Sequence, residues 1–85
     1  MNISRYEQRV LHVLALGGRI QHGFDSDGRL VEARGFTRDG YLLSDCTFAI
    51  FRRLKRRGLI ASSGGRPYRI TRAGLDAVRA QADQR

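Results

Sequence analysis

The stretch that decides the fold is Ser44–Ile70, which reads SDCTFAIFRRLKRRGLIASSGGRPYRI. No acidic residue stands between Cys46 and Leu75, whereas basic residues are frequent there. The basic residues are Arg52, Arg53, Lys55, Arg56, Arg57, Arg66, Arg69 and Arg72. Since the eight basic and eight acidic residues elsewhere cancel, the net charge of +8 equals that of the segment between Cys46 and Leu75. Charge concentrated in this way indicates an anionic partner, whereas evenly spread charge would indicate only solubility.

The first part of this stretch predicts a helix from an N-cap at Ser44 to about Arg57, with Asp45 at the positive end of the helix dipole. One side is apolar at helical spacing and predicts contact with the core. It carries Thr47, Ile50, Phe51 and Leu54. The opposite side carries Asp45, Ala49, Arg52, Arg53 and Arg56, with Phe48 and Lys55 at the boundary.

The second part predicts a hairpin and a return into a helix. Gly58 ends the basic helix, and Leu59–Ala61 and Arg66–Ile70 form two strands around a flexible tip. Pro67 lacks an N–H group, which places its strand at an edge. Thr71 caps a last helix, in which Gly74 allows close packing. The residues of that helix predicted to face inward are Leu75, Val78 and Ala82.

The N-terminal part of the chain predicts a helix as well. Ser4 and Glu7 form the capping-box pattern S-x-x-E, and Gly17 and Gly18 end the helix. The apolar residues recur at helical spacing and predict one broad buried face. They are Tyr6, Val10, Leu11, Val13 and Leu14.

Between the first two helices the pattern changes to that of strands. Asp25-Ser26-Asp27-Gly28 is a strong turn sequence and predicts a β-hairpin over residues 19–35. Thr37-Arg38-Asp39-Gly40 predicts a second turn, after which the apolar run Tyr41–Leu43 is expected to enter the core.

Length and composition predict one domain over residues 1–85 with a small core, in a cytoplasmic protein. No 18-residue apolar run and no signal-peptide pattern occurs. Cys46 could be activated by a helix N-terminus, but no spacing connects it to His12 or His22. The DSDG segment lacks the ligand spacing of a calcium loop. We therefore expect a protein that is not an enzyme and that uses no metal or cofactor.

The segment FRRLKRRGLIASSGGRPYRITRAG resembles the helix and wing of winged-helix proteins. Together with the N-terminal helix and the hairpin predicted over residues 19–35, that resemblance predicts an α+β, winged-helix-like fold with three main helices and two β-hairpins. It also implies that the basic helix and the wing contact DNA. The residues 19–43 depart from the family, since a hairpin is predicted where a second helix is usual. The candidate residues for binding nucleic acid or a partner are Ala49, Arg52, Arg53, Arg56, Arg57, Arg66 and Arg69.

Three features of the sequence allow a second interpretation. The basic face could be only a solvated helix surface. Phe48 could be a partner anchor, although packing against Tyr41 or the first hairpin is the commoner role for such a residue. Gly64-Gly65-Arg66-Pro67 is similar to the core of an AT-hook but lacks its first arginine.

Over nearly its full length the chain resembles the YjhX toxin family. The matching stretches are MNISRYEQRVLHVLALGGRI, TRDGYLLSDCTFAIFRRLKRRGLI and GGRPYRITRAGLDAVRAQADQR. The resemblance implies a toxin of a toxin–antitoxin pair that binds and inhibits bacterial DNA topoisomerase I. It also implies an antitoxin that resembles an acetyltransferase. A DNA-binding transcriptional regulator is the alternative that the helix and wing favour.

Overall fold

The computed structural model describes residues 3–83, with side chains for residues 3–80. Within that range, three helices and five strands follow one another along the chain. They are α1 (Arg5–Ala15), β1 (Arg19–Phe24), β2 (Leu30–Phe36), β3 (Leu42–Leu43), α2 (Phe48–Arg56), β4 (Ile60–Ala61), β5 (Arg69–Ile70) and α3 (Arg72–Asp83). One antiparallel sheet has the order β1-β2-β3, and β4 and β5 form a second. The predicted α+β class with three helices and two hairpins is confirmed.

The predicted capping box starts α1. The Ser4 hydroxyl accepts a hydrogen bond from the Glu7 backbone N–H at 3.1 Å, and the Glu7 carboxylate reaches back to the Ser4 N–H. Val10, Leu11 and Leu14 are buried as predicted, but Tyr6 is 56% exposed. The prediction for Tyr6 was wrong because the buried stripe is narrower and Glu7 occupies its first position.

The first hairpin has the predicted turn. Asp25 Oδ1 accepts hydrogen bonds from the backbone N–H groups of Asp27 and Arg29, both at 2.9 Å. The second turn is also present, and it leads into β3, which pairs with β2. Tyr41 and Leu42 were expected in the core but are 73% and 64% exposed. Only one face of this short strand can meet the core, so among the three residues Leu43 alone packs against it.

The helix α2 begins three residues later than predicted. Thr47, not Ser44, is its N-cap, and the Thr47 hydroxyl accepts a hydrogen bond from the Ile50 N–H at 3.2 Å. The preceding residues form a turn, in which the Cys46 N–H bonds to the Leu43 carbonyl oxygen. Asp45 therefore lies outside the helix, with a carboxylate oxygen 3.7 Å from Arg9 Nη1. The helix ends as expected at Gly58, whose φ of +72° favours glycine.

The second hairpin is shorter than the sequence predicts. Its ladder pairs Ile60 with Ile70 and Ala61 with Arg69. Tyr68 instead exchanges two backbone hydrogen bonds with Ile20 of β1, at 3.0 and 2.7 Å. This bridge joins the second hairpin to the first sheet.

The last helix, α3, has the predicted N-cap at Thr71, whose hydroxyl accepts a hydrogen bond from the Gly74 N–H at 3.1 Å. Gly74 is buried, as its predicted close packing requires. Val78 packs against the core, but Leu75 is 40% exposed, because the inward face runs through Gly74, Ala77 and Val78. The prediction for Ala82 concerns a side chain outside the described ones.

The core lies between α1, α2 and the two sheets, with Phe51 fully buried near its centre. The ring of Tyr68 meets that of Phe51 edge-on, with centroids 5.0 Å apart. Among the described side chains, ten apolar ones are buried: Val10, Leu11, Leu14, Ile20, Cys46, Ile50, Phe51, Leu54, Leu59 and Ile60. In the described part of the chain, no helix is long and apolar enough to span a bilayer.

Candidate functional site

The exposed face of α2 carries most of the predicted binding residues. Ile50, Phe51 and Leu54 anchor the opposite face in the core, as the helical spacing predicts. The helix therefore presents to solvent Ala49, Arg52, Arg53, Arg56 and, at its C-cap, Arg57. A role in binding requires exposed side chains, and all five residues are exposed. The role itself stays a prediction.

A buried carboxylate divides these cations into two groups. Glu7 is only 2% exposed, and its Oε2 lies 3.3 Å from Arg57 Nη1. Its Oε1 lies 4.0 Å from Arg53 Nη1. A buried carboxylate is unfavourable unless it is paired and hydrogen-bonded, so these arginines compensate a charge of the protein itself.

Sequence reasoning assigned Glu7 only to the helix cap. Its place on the same helical stripe as Val10, Leu11 and Leu14 is the signal that could have predicted its burial.

The two arginines of the second hairpin lie apart from this face. The Arg69 guanidinium donates hydrogen bonds to the carbonyl oxygens of Gly17 and Gly18, at 3.1 and 3.2 Å. It thereby connects β5 to the turn that follows α1. Arg66 lies at the exposed tip, where its carbonyl oxygen accepts a hydrogen bond from the Ser62 hydroxyl. Arg66 and Arg69 line a hollow of their own on the hairpin.

A groove of about 490 Å³ runs between α2 and the first hairpin. Its lining residues are Leu30, Phe48, Arg52, Lys55 and Arg56. Leu30 comes from β2 and was not predicted as a site residue, because no local pattern places β2 beside α2. Phe48 is half-buried against the core, with its ring centroid 5.9 Å from that of Phe51.

The cations of this groove differ from Arg53 and Arg57. Among the residues with described side chains, no carboxylate lies within 4.0 Å of Arg52, Lys55 or Arg56. The Lys55 ammonium lies 6.0 Å from the centroid of the Tyr68 ring, at the limit of a cation–π contact. The groove thus combines two apolar lining residues, Leu30 and Phe48, which we call its floor, with uncompensated positive charge.

The structure does not activate Cys46. Burial raises the pKa of the Cys46 thiol from 9.0 to about 11, outweighing a backbone hydrogen bond with Gly35 that lowers it. The thiol gains nothing from the N-terminus of α2, which begins only at Phe48, and Cys46 is buried. His12 is exposed on α1, whereas His22 meets the Tyr68 ring edge-on, with ring centroids 5.0 Å apart. The described side chains hold no group of three potential metal ligands.

The comparison with protein families covers the whole chain. Residues 1–85 match the model of the family described as "Putative toxin of bacterial toxin-antitoxin pair". The chain belongs to the YjhX toxin family. The resemblance stated from the sequence is thereby confirmed at the level of the family.

Three relatives with high identity to this YjhX-family chain carry the name "UPF0386 protein". The protein of Parvibaculum lavamentivorans is 60% identical over 85 residues, which is all of both chains. That of Caulobacter vibrioides is 58% identical over all of this chain and 93% of the relative. That of Aliivibrio fischeri is 55% identical over the full length of both. No solved structure matches the chain.

Proposed function

We propose that this protein is the toxin of a toxin–antitoxin pair and acts without catalysis, by binding bacterial DNA topoisomerase I. Membership of the YjhX toxin family supports the toxin role. The target is an expectation from the resemblance, and with it come a cytoplasmic location and an acetyltransferase-like antitoxin. The observation that carries the proposal is the uncompensated cationic face of α2.

The mode of inhibition follows from the electrostatics of that face. A topoisomerase must hold the phosphates of its DNA, so an inhibitor with exposed arginines can act in two ways. It can dock on an acidic surface of the enzyme, or it can occupy the DNA that the enzyme needs. Ala49, Arg52 and Arg56 are the α2 residues most available for either contact, because Arg53 and Arg57 lie beside Glu7.

A plasmid relaxation assay tests the proposed function. Relaxation of supercoiled DNA by topoisomerase I should fall as the protein is added, and more strongly when enzyme and protein are mixed before DNA. Preincubation with DNA giving the stronger effect would instead assign the inhibition to competition for DNA. Full relaxation in the presence of a large molar excess of the protein would contradict the proposal.

The second candidate function is that of a DNA-binding transcriptional regulator with a winged helix. It is favoured by the succession of α2, the turn at Gly58 and the β4–β5 hairpin, with basic residues on helix and tip. Against it, the first hairpin lies where the winged helix would have a bracing helix. Gel-shift titration on duplex DNA separates the candidates, since a regulator binds tightly without topoisomerase and an enzyme-directed inhibitor does not.

A further inference from the structure

Two pairs of arginines at i, i+4 spacing lie on α2 and its C-cap, and only one pair lies near a carboxylate. Arg53 and Arg57 both lie within 4.0 Å of the Glu7 carboxylate. Arg52 and Arg56 have no such carboxylate among the described side chains, and Lys55 stands between them. Like charges at this spacing destabilise a helix. The second pair therefore retains a repulsion that an external anion would relieve.

The same cations border apolar surface. Leu30 and Phe48 supply the apolar lining of the groove, its floor, and Arg52, Lys55 and Arg56 supply its charged lining, its rim. Both apolar side chains are half-buried, so each keeps surface that a ligand could cover. A ligand suited to this groove carries carboxylates or phosphates next to an apolar group.

The form of the floor favours a protein segment over nucleic acid. A phosphate backbone would be attracted to the cations but would gain nothing from the Leu30 side chain. A base would need a flat, open aromatic face, whereas the Phe48 ring is half-buried and tilted by 39° against Phe51. An aliphatic or aromatic side chain between two acidic residues fits both the floor and the rim.

We propose that this groove is the docking site for an acidic segment of a partner protein, with one apolar side chain inserted between Leu30 and Phe48. The inference rests on the proposed function for the identity of that partner, the topoisomerase. Association here combines burial of apolar area with close charge pairs at the rim.

Amide NMR with short peptides tests the groove without the topoisomerase. The probe is the hexapeptide Asp-Glu-Phe-Leu-Glu-Asp, and its control is Asp-Glu-Ser-Ser-Glu-Asp. The apolar peptide should shift the signals of Leu30, Phe48 and Lys55 and bind at least about fivefold more tightly than the serine peptide. Equal binding of the two peptides would overturn the role of the floor.

Variants separate the groove from general charge. Leu30→Ser and Phe48→Ser should each weaken the apolar peptide by at least about fivefold, whereas Leu16→Ser, at an exposed position outside the groove, should not. Circular dichroism checks that each variant is folded. Because Leu30→Ser and Phe48→Ser both touch the core, Arg52→Glu serves as a further variant at an exposed position and should abolish peptide binding.

A hexathymidylate oligonucleotide tests the alternative class of ligand. Its binding should depend on Arg52 but change less than about twofold in Leu30→Ser, because phosphates do not use the floor. If Leu30→Ser weakened binding of the oligonucleotide as much as binding of the peptide, the groove would be assigned to nucleic acid and the proposal overturned.

Relaxation assays with the same variants distinguish the two proposals. Peptide binding by a wild-type protein that does not inhibit topoisomerase I would leave the groove in place and refute the proposed target. Undiminished inhibition by folded Leu30→Ser and Phe48→Ser would refute docking of the topoisomerase in the groove and leave the proposed function standing.

Discussion

At the scale of single residues, burial decides the chemistry more than local sequence does. Cys46 lies just before a helix, where a thiolate is usually stabilised, yet it is only 7% exposed. It packs so closely beneath Gly35 that a Cβ at that glycine would approach the Cys46 Cβ to 2.8 Å. The loss of water around the sulfur therefore keeps the thiol neutral.

The raised pKa of Cys46 predicts a pH dependence of stability. The unfolded thiol ionises near pH 9, whereas the folded one ionises near its pKa of about 11. Between these values the unfolded state has lost the proton that the folded state keeps, so the free energy of unfolding falls as pH rises. The loss is about 2–3 kcal/mol by pH 11.

Urea denaturation between pH 8 and 11 measures this effect, with Cys46→Ala as the control. The variant lacks the thiol, so its free energy of unfolding should fall less steeply with pH than that of the wild type. Parallel pH profiles for the two proteins would show that the Cys46 proton does not contribute.

At the scale of elements, contacts between neighbours outweigh intrinsic preference. The helix α3 lies so close to the second hairpin that a Cβ at Gly74 would reach Ile70 Cγ1 at 2.5 Å. It would also press against the carbonyl oxygen of Leu59, a backbone atom that cannot rotate away. The glycine is therefore needed for the position of α3 against the hairpin, although it weakens the helix itself.

Gly74→Ala tests which of these effects dominates. Helix propensity alone predicts a gain of about 1 kcal/mol. The close approach to Leu59 and Ile70 predicts overpacking that costs about 1–3 kcal/mol or more, so we expect net destabilisation. A higher melting temperature of the variant than of the wild type would show that α3 moves away from the hairpin without loss.

At the scale of the whole molecule, the position of charge matters more than its sum. The net charge of +8 is large for 85 residues. The ion pairs with Glu7 do not change that sum, but they compensate Arg53 and Arg57 locally. The uncompensated cations of α2 remain on one face. If about four cations meet phosphates, namely Arg52, Lys55 and Arg56 of α2 and Arg66 at the hairpin tip, the logarithm of affinity should fall with the logarithm of salt concentration with a slope of roughly −3 to −4.

A charge-matched pair of double variants tests this localisation. Arg52→Glu with Arg56→Glu should abolish inhibition of the topoisomerase. Arg5→Glu with Arg79→Glu makes the same change in net charge at two exposed positions outside the groove. This second double variant should keep most of the inhibition. All four residues are exposed, so both proteins should remain folded, as thermal unfolding can verify. Equal loss of inhibition in both would mean that net charge alone governs binding.

Much of the architecture could be predicted from local pattern. The capping box at Ser4, the turn at residues 25–28, the buried face of α2 and the N-cap at Thr71 all follow from residues within a few positions of one another. Errors arose where a short apolar run had more than one possible face. Tyr41 and Leu42 are exposed because β3 has only two residues and meets the core through Leu43.

The sequence by itself determined the order of the elements, the basic unit and the family. The tertiary structure decided which cations are compensated and which border the groove. Glu7 and Arg57 are 50 residues apart, and Leu30 reaches α2 only because β2 packs beside it. Helix and turn signals depend on sequence neighbours, whereas charge pairing and desolvation depend on distances that only the folded chain establishes.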